Sequence, residues 1–460
     1  MRRRFVAGID SSTQQTKLVL VDAATGELIR SSALPHPDGT ELDPEHWWSA
    51  LHGVGGTRPT GASAVSIAAQ QHTTIFLDEE GASLRDALLW NDPRAADCAD
   101  RLRSELGDDT WLDGPGLLPD ATHPVSKLRW LAEHEPDHAA RVRTVLLAHD
   151  WLTWRLLHRA AAPTTDRSDA SATGYWSPRT EAYLPALVRH ALGHDIESPA
   201  VRPADEAVGT SRHGLLVGAG CGDNAATHLA LDTRPGDVVV SIGTSTAVSM
   251  RTESPARHLS GRVDTMADTR HGFIPIIAMR NGARVLAATA RMLGVTLERL
   301  DLLAASADPA AGGALLVPFL DGERAPRIGP ASGALLGLSR NSMTPAGIAR
   351  ASILGLGCAI ADALDTLAGL FGEPARILLV GGGARSAALR QVVTDLTGRA
   401  TEGPEHREHA AFGAARQAAW ALTGAAPDWP PLGTIRHDPS PQRVWADEVR
   451  ARYRLASGAR

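Results

Sequence analysis

Residues 5–10 (FVAGID) and 17–22 (KLVLVD) are apolar and β-branched, with a short polar stretch between them. The pattern predicts two strands joined by a tight polar loop. LDPEHWWSALHGV begins a helix, with Asp43 as cap and Pro44 in the first turn. Trp47 and Trp48 are expected in the core or over a sheet. Residues 64–69 form a buried strand that runs into QQHTTIFLD, and 94–106, 126–134 and 149–158 are expected to be helical. RSDASATGYWSP reads as a polar loop, and 199–214 as a Pro/Gly-rich connection. A strand at 215–218, the loop GAGCGDN and a helix from about Ala225 follow.

The second half continues the alternation. GALLVPFLDGERAP is a strand entering a charged loop, and 344–370 is a long Ala/Leu helix with Thr344 as cap and Pro345 first. RILLVGGGARSAALRQVVTDLTG reads as strand, Gly turn and helix; EHAAFGAARQAAWALTG is a second Ala-rich helix. Residues 425–460 are Pro-rich and then polar, and are expected to form a peripheral tail. Strands alternating with helices in both halves point to α/β layering.

Two places resemble each other. Residues 6–13 read VAGIDSST and residues 239–246 read VVSIGTST, each a strand, a small polar turn and a second β-branched stretch. The offset of 233 positions is about half the chain. It suggests two domains of similar design, not a solenoid; a chance match of short V/S/T/G strings is the alternative.

Length agrees with two domains: 460 residues exceed one ordinary core. A net charge of −6 implies no polyanion partner, so nucleic acid is not expected. Lys17 and Lys127 are the only lysines among 46 lysines and arginines, which reads as a coding bias toward Arg. Cys98, Cys221 and Cys358 are scattered without CxxC, which fits a reducing cytosol and argues against a disulfide framework. No apolar run reaches membrane-spanning length, and MRRRFVAGIDSS turns directly into a strand pattern; neither a membrane partner nor a signal peptide is expected.

Candidate chemistry sits at the strand ends. The hydroxyls, amides and N–H groups of the first loop suit phosphate oxygens, and Lys17 adds a positive charge. Asp10 cannot itself meet phosphate favourably, but it suits a Mg²⁺ ion through water, and Mg²⁺ bridges phosphates. No GxxxxGK[ST] occurs, so this is not a P-loop. A surface hairpin with a capping Asp is the alternative.

AGCGDNAATHLA places Asp223 on a Gly-lined turn before a helix, where Gly220 and Gly222 permit close approach of a ligand. The helix dipole is expected to keep Asp223 ionised. An ionised Asp in a closed cleft can take a proton from a hydroxyl attacking phosphorus. Taken alone, the loop reads as an N-cap Asp.

SIGTST offers a second phosphate turn at Gly243, Thr244 and Ser245. The glycines of VGGGARS, with Ser386 as a cap, allow a flat ligand or a ribose against the backbone; a plain tight turn is the rival. In DGERAP, Glu323 and Arg324 read as a salt bridge. Gln71 and His72 follow a buried strand, where ligand-facing groups of α/β proteins gather. Asn91, Asp92 and Arg94 in LLWNDPRA offer the mixed donors and acceptors that polyol hydroxyls need, or cap the helix after Pro93.

The order of these motifs resembles the FGGY carbohydrate kinases of the actin-like ATPase superfamily, and within that family it is most similar to the xylulokinases. The resemblance runs from residue 6 to about 422, through GIDSSTQQTK, PEHWW, QQHT, LLWNDPRA, SDASATGYW, GAGCGDNAA, SIGTST, VPFLDGERAP, LVGGGARS and HAAFGAA. It implies two actin-like, ribonuclease H-like α/β domains with a cleft between them. Residues 1–235 would bind sugar and carry the first phosphate loop and the catalytic Asp, 236–430 would bind nucleotide, and 431–460 would be a tail.

The resemblance also implies ATP-dependent phosphorylation of a sugar, D-xylulose to D-xylulose 5-phosphate, with ATP and Mg²⁺ as cofactors, in the cytoplasm. Asp223 would be the base, and Asp10 would organise Mg²⁺ and the transferring phosphoryl group. Thr13, Gln14, Gln15 and Lys17 would line the β/γ-phosphates, with Gly243, Thr244 and Ser245 facing them. Gly382, Gly383 and Arg385 would border adenosine. Gln71, His72, Asp223 and Asn224 would contact the sugar, with Asp92 added as a polyol-binding candidate. A homodimer is common among such relatives. A ribulose, gluconate or tetritol kinase is the alternative; a non-enzymatic actin-like nucleotide switch is a remoter one.

Overall fold

In the computed structural model, residues 3–258, 261–324, 328, 333–404 and 408–458 are described. Contacts divide the chain into two units. The first comprises residues 1–233, 253–274 and 408–431; the second comprises 234–252, 275–407 and 432–460. Where spans 1–235, 236–430 and 431–460 are expected, the contacts group segments 253–274 and 408–431 with the first unit.

The first unit is built on a mixed sheet. Strand β1 (Phe5–Ser11) pairs antiparallel with β2 (Gln15–Asp22), and β2 with β3 (Leu28–Pro35). On its other side β1 runs parallel to β4 (Ala62–Ala69). Beyond β4 the sheet continues through β6 (Leu216–Gly218) to β5 (Ala207–Thr210), and the short β7 (Cys221–Gly222) also pairs with β4. Ile9, Leu18, Val65 and Ile67 are buried in its core with Trp47, while Trp48 is partly buried against it. This agrees with the structural reading of both tryptophans.

The second unit repeats the arrangement. Strand β8 (Asp237–Ile242) pairs antiparallel with β9 (Thr246–Met250), β9 with β10 (Phe273–Met279), and β8 runs parallel to β11 (Arg376–Val380). The sheet extends through β12 (Thr401–Pro404) to β13 (Thr434–His437). Each half therefore uses an antiparallel triplet whose first strand takes a parallel neighbour. The similarity between residues 6–13 and 239–246 is one of topology, and the fold is the expected α/β type with two sheet-based domains.

Helix His409–Thr423 lies directly on β1, because two glycines admit it. A Cβ at Gly8 would fall 1.9 Å from the Ala411 carbonyl oxygen, and one at Gly413 would fall 1.8 Å from that of Ala226. Backbone thus meets backbone at β1 and at helix Asp223–Ala230, so this C-terminal helix fixes both.

Three expected loops have more structure than their composition suggests. RSDASATGYWSP contains the buried helix Arg167–Ser171, capped by Asp166. The 199–214 connection holds strands Ala200–Arg202 and Ala207–Thr210. The expected tail contributes β13 and helix Val444–Ser457 to the second unit. In each case Ser, Asp, Pro or charged residues mask a few buried apolar or capping positions.

Helix Pro345–Phe371 is, among the described residues, long and apolar enough to cross a membrane by length and composition, against the sequence-based expectation of no such run. Most of it is buried, and it packs on neighbouring helices of its unit.

Candidate active site

Strand β1 ends at Asp10 and Ser11, and the β1–β2 turn is closed by Ser12, whose N–H and hydroxyl both donate to the Gln15 carbonyl at 3.1 and 3.0 Å. Gln14 is exposed at the tip, with Thr13 and Gln15 partly buried beside it. The Thr13 hydroxyl donates to Gln70 Oε1 at 3.1 Å and accepts from Trp90 Nε1 at 2.7 Å.

Antiparallel register sets Lys17 opposite Asp10. Its ammonium lies 3.5 Å from Asp10 Oδ2 and 2.8 Å from Glu408 Oε2. Burial works against that charge, but Asp10 and Glu408 hold the Lys17 pKa above its ordinary value. Asp10 is pushed up to about 6: burial raises it, Lys17 opposes, and Glu408 adds to the rise. Asp10 Oδ1 is buried without a hydrogen-bond partner. A hard cation takes such an oxygen as a ligand, so the residue fits the Mg²⁺ that the phosphates of a nucleotide would bring.

Asp223 opens helix Asp223–Ala230, and Gly222, not Asp223, is the N-cap. Asn224 donates to Asp223 Oδ1 through its backbone N–H at 2.8 Å and through its side-chain amide at 3.0 Å. The same amide donates to Gln71 Oε1 at 3.0 Å. The expectation that the helix start keeps Asp223 ionised is corrected here. Burial, with the like charges of Asp10 and Asp169, pushes its pKa up to about 8. Desolvation outweighs the dipole of an eight-residue helix. A Cβ at Gly222 would come 2.5 Å from Gln71 Nε2. That glycine lets the turn seat itself on Gln71.

His72 has a left-handed backbone, φ 63°, a conformation that costs a non-glycine residue about 1 kcal/mol or more. Its carbonyl accepts from buried Lys127 Nζ at 2.7 Å and from the Thr74 hydroxyl at 3.0 Å. Lys127 also donates to the Leu88 carbonyl at 3.0 Å, and burial pulls its pKa down to about 7. The His72 ring lies 2.9 Å through Nδ1 from the Ala172 carbonyl; a carbonyl only accepts, so Nδ1 carries hydrogen. The structure therefore brings Gln71, Asp223 and Asn224 into one bonded group, with His72 adjoining Gln71 in the chain.

Asp92 takes no part in that group. Its Oδ1 accepts from Arg94 Nε at 2.8 Å and Arg94 N–H at 2.9 Å. Burial opposes its charge, yet the Arg94 bonds hold the carboxyl below its ordinary range. Helix Ala96–Leu106 has Ala95 as its N-cap and no side-chain cap, so Asp92 does not cap it either; it closes a turn on Arg94.

In the second unit, Gly243, Thr244 and Ser245 form the β8–β9 turn, with Thr244 exposed. Gly282 braces it: Ala283 N–H donates to the Gly243 carbonyl at 2.8 Å, and Arg284 Nε to that of Thr244 at 3.1 Å. Glu323 holds the brace, accepting from Arg280 N–H at 2.6 Å and Asn281 Nδ2 at 2.9 Å. It also accepts from the Arg324 backbone at 2.8 Å. Its role here is thus to receive backbone and amide donors, where a salt bridge is the sequence-based expectation.

The Gly381–Gly383 turn packs on Ile242, the residue before Gly243; a Cβ at Gly383 would come 2.4 Å from Ile242 Cγ2. Both nucleotide candidates of this unit therefore adjoin. Gly382 faces open space and Arg385 is exposed. Ser386 caps helix Ala387–Thr397, as expected. Asp301 accepts from Ala387 N–H at 3.2 Å and Ala388 N–H at 3.1 Å, so a carboxylate of the chain itself occupies that helix end.

Sequence reasoning left out Glu408, Lys127, Asn281 and Gly413. Each acts on a residue far away in the chain, so no local pattern marks it.

Residues 5–227 match the N-terminal domain of the FGGY family of carbohydrate kinases, and residues 238–422 match its C-terminal domain. A xylulose kinase of Streptomyces coelicolor is 42% identical over 439 residues, which is 91% of this chain and 88% of that protein. One from Streptomyces rubiginosus is 40% identical over 443 residues, 92% of this chain and 89% of the relative. The crystal structure of xylulose kinase from Bifidobacterium adolescentis has a TM-score of 0.86 and 34% identity, and the match covers 99% of this chain and 100% of that one.

Proposed function

Because this chain belongs to the FGGY family of carbohydrate kinases, we propose that it transfers the γ-phosphoryl group of ATP to D-xylulose, giving D-xylulose 5-phosphate and ADP. The observation that carries the chemistry is Asp223. Its carboxyl is held by Asn224 beside Gln71 and is basic enough, near pH 8, to take a proton from an alcohol as that alcohol attacks. The choice of sugar rests on the two relatives of 40–42% identity.

Asp223 removes the proton of the terminal sugar hydroxyl. The freed oxygen pair forms the new bond to γ-phosphorus, the bond to the β–γ bridging oxygen breaks, and ADP leaves with that pair. Gln71, His72 and Asn224 orient the sugar. Thr13, Gln14, Gln15 and Lys17 are the phosphate-binding candidates of the first unit, and Gly243, Thr244 and Ser245 are those of the second. Gly382, Gly383 and Arg385 border the nucleoside. Asp10 would hold Mg²⁺, which supplies positive charge to the phosphate oxygens when bound. Lys17, bonded to two carboxylates, also keeps Asp10 in place.

An ADP-release assay over D-xylulose, D-ribulose, gluconate and erythritol tests the reading. D-xylulose should give a kcat/KM at least about tenfold above the others, since one misplaced hydroxyl costs a hydrogen-bonding site more than 1.4 kcal/mol. A higher value for any other acceptor would reassign the substrate.

A further inference from the structure

Behind Gln71 lies a buried ionic group that the mechanism above does not use. His149 and Asp169 are both fully buried, and Asp150 nearly so. His149 Nδ1 lies 2.5 Å from Asp169 Oδ2, and its Nε2 lies 3.1 Å from Asp150 Oδ1. Burial works against the imidazolium, but Asp150 and Asp169 push its pKa up to about 10. Asp169 Oδ2 can only accept, so His149 Nδ1 carries the hydrogen between them, while Nε2 and Asp150 Oδ1 make no hydrogen bond.

The other oxygen of Asp169 points toward the sugar-facing residues. Gln71 Nε2 donates to Asp169 Oδ1 and to the Ser168 carbonyl, each at 3.3 Å. Gln71 Oε1 accepts from Asn224 Nδ2, which also donates to Asp223 Oδ1. A carboxylate and a carbonyl can only accept, so Asp169, together with the Ser168 carbonyl, dictates which end of the Gln71 amide faces them. The Gln71 oxygen must then face Asn224, and the Asn224 NH₂ must supply both Gln71 and Asp223. Polarity thus runs in one direction from His149 to Asp223. The turn that bears Asp223 is docked on the same element, since Gly222 N–H donates to Ser168 Oγ at 3.0 Å. A Cβ at Gly220 would come 2.4 Å from His149 Cδ2.

We propose that Asp169, paired with His149, is a positioning residue for phosphoryl transfer: it fixes the amide orientation of Gln71 and, through Asn224, the direction of the Asp223 carboxylate. An amide free to flip would offer Asn224 a donor instead of an acceptor, and would turn its NH₂ away from Asp223. The inference rests on Asp223 as the base, and it adds residues 149 and 169 to the machinery.

The test is steady-state kinetics of the full chain with D-xylulose and Mg²⁺–ATP. Asp169→Asn should lower kcat/KM for the sugar about 30-fold and leave KM for ATP within twofold, because charge-bearing links of this kind are worth about 2 kcal/mol. In a Gln71→Ala background the same change should cost less than twofold, since its route is already cut. His149→Gln, a milder change, should show the same pattern with a smaller loss. Full single-variant losses persisting in the Gln71→Ala background, or KM for ATP rising in parallel, would overturn the proposal.

Should both variants fail to fold, ¹⁵N imidazole spectra of the unmodified protein at pH 7 decide. Hydrogen on His149 Nδ1, as the bond to Asp169 requires, is expected, and an Nδ1 without hydrogen overturns the pairing. If the unmodified protein phosphorylates another acceptor instead of D-xylulose, the substrate assignment fails, and the same comparison with that acceptor still decides the role of Asp169.

Discussion

Asn224 grips one oxygen of Asp223 twice, through its backbone N–H at 2.8 Å and its side-chain amide at 3.0 Å. Both bonds fall on Oδ1, so a single residue sets the direction of the carboxylate. These bonds favour the charged form, yet burial and the like charges of Asp10 and Asp169 prevail, and the pKa stands at about 8. A base tuned near working pH is thus obtained at some cost in stability.

That cost has a sign that can be checked. The folded pKa of Asp223 lies above the carboxylate value of about 4 in an unfolded chain. Between those values the folded state binds more protons than the unfolded one, so stability falls as pH rises from about 4 to about 8. Asp223→Asn removes this dependence. Thermal unfolding without ligands should show Asp223→Asn with a higher Tm than the parent at pH 8.5, and a much smaller difference at pH 4.5. An equal difference at both pH values would contradict the raised pKa.

Lys17 sits between Asp10 and Glu408 at 3.5 and 2.8 Å. Removing it leaves two carboxylates facing each other and takes a positive charge from the phosphate hairpin. Lys17→Ala should raise the apparent KM for ATP about tenfold, from the loss of a charge-assisted contact worth about 1.4 kcal/mol, while KM for the sugar changes little. An unchanged KM for ATP would remove Lys17 from the phosphate site.

Helix His409–Thr423 has no room for a methyl group where it meets helix Asp223–Ala230. In Gly413→Ala the new Cβ would lie 1.8 Å from a backbone oxygen, which only movement of a helix can relieve. Destabilisation of about 3 kcal/mol is expected, seen as a large fall in the denaturant midpoint, together with reduced turnover. Gly369→Ala is the control. It lies in helix Pro345–Phe371 with nothing within 4 Å of its Cβ, so it should gain up to about 1 kcal/mol. Equal behaviour of the two variants would refute the packing account.

What the sequence revealed was local. Continuous apolar and β-branched runs marked β1, β2 and β4, and the turns at Asp10 and Gly243 fell at strand ends because small polar residues interrupt β-branched ones. Capping chemistry found Asp43, Thr344 and Ser386, each of which accepts a backbone N–H as expected. What escaped notice depends on contacts distant in sequence. The two lysines look like remnants of an arginine bias, yet each is tied to the site: Lys17 to Asp10 and Glu408, Lys127 to the carbonyl of His72. SDASATGYW looks like a loop, because its seven small or polar residues before Tyr175 and Trp176 do not signal that Asp169 will be buried against His149. The charge state of Asp223 also lay out of reach, since the dipole is visible in sequence and desolvation is not.

The most direct test of Asp223 as the base is the rate of phosphoryl transfer from ATP to D-xylulose in Asp223→Asn, by rapid quench at saturating substrates, with ATP affinity measured alongside by calorimetry. The expected result is a rate about 10³-fold below the parent, within the range for loss of a general base, with the Kd for ATP changed less than threefold. Transfer within tenfold of the parent rate would contradict it.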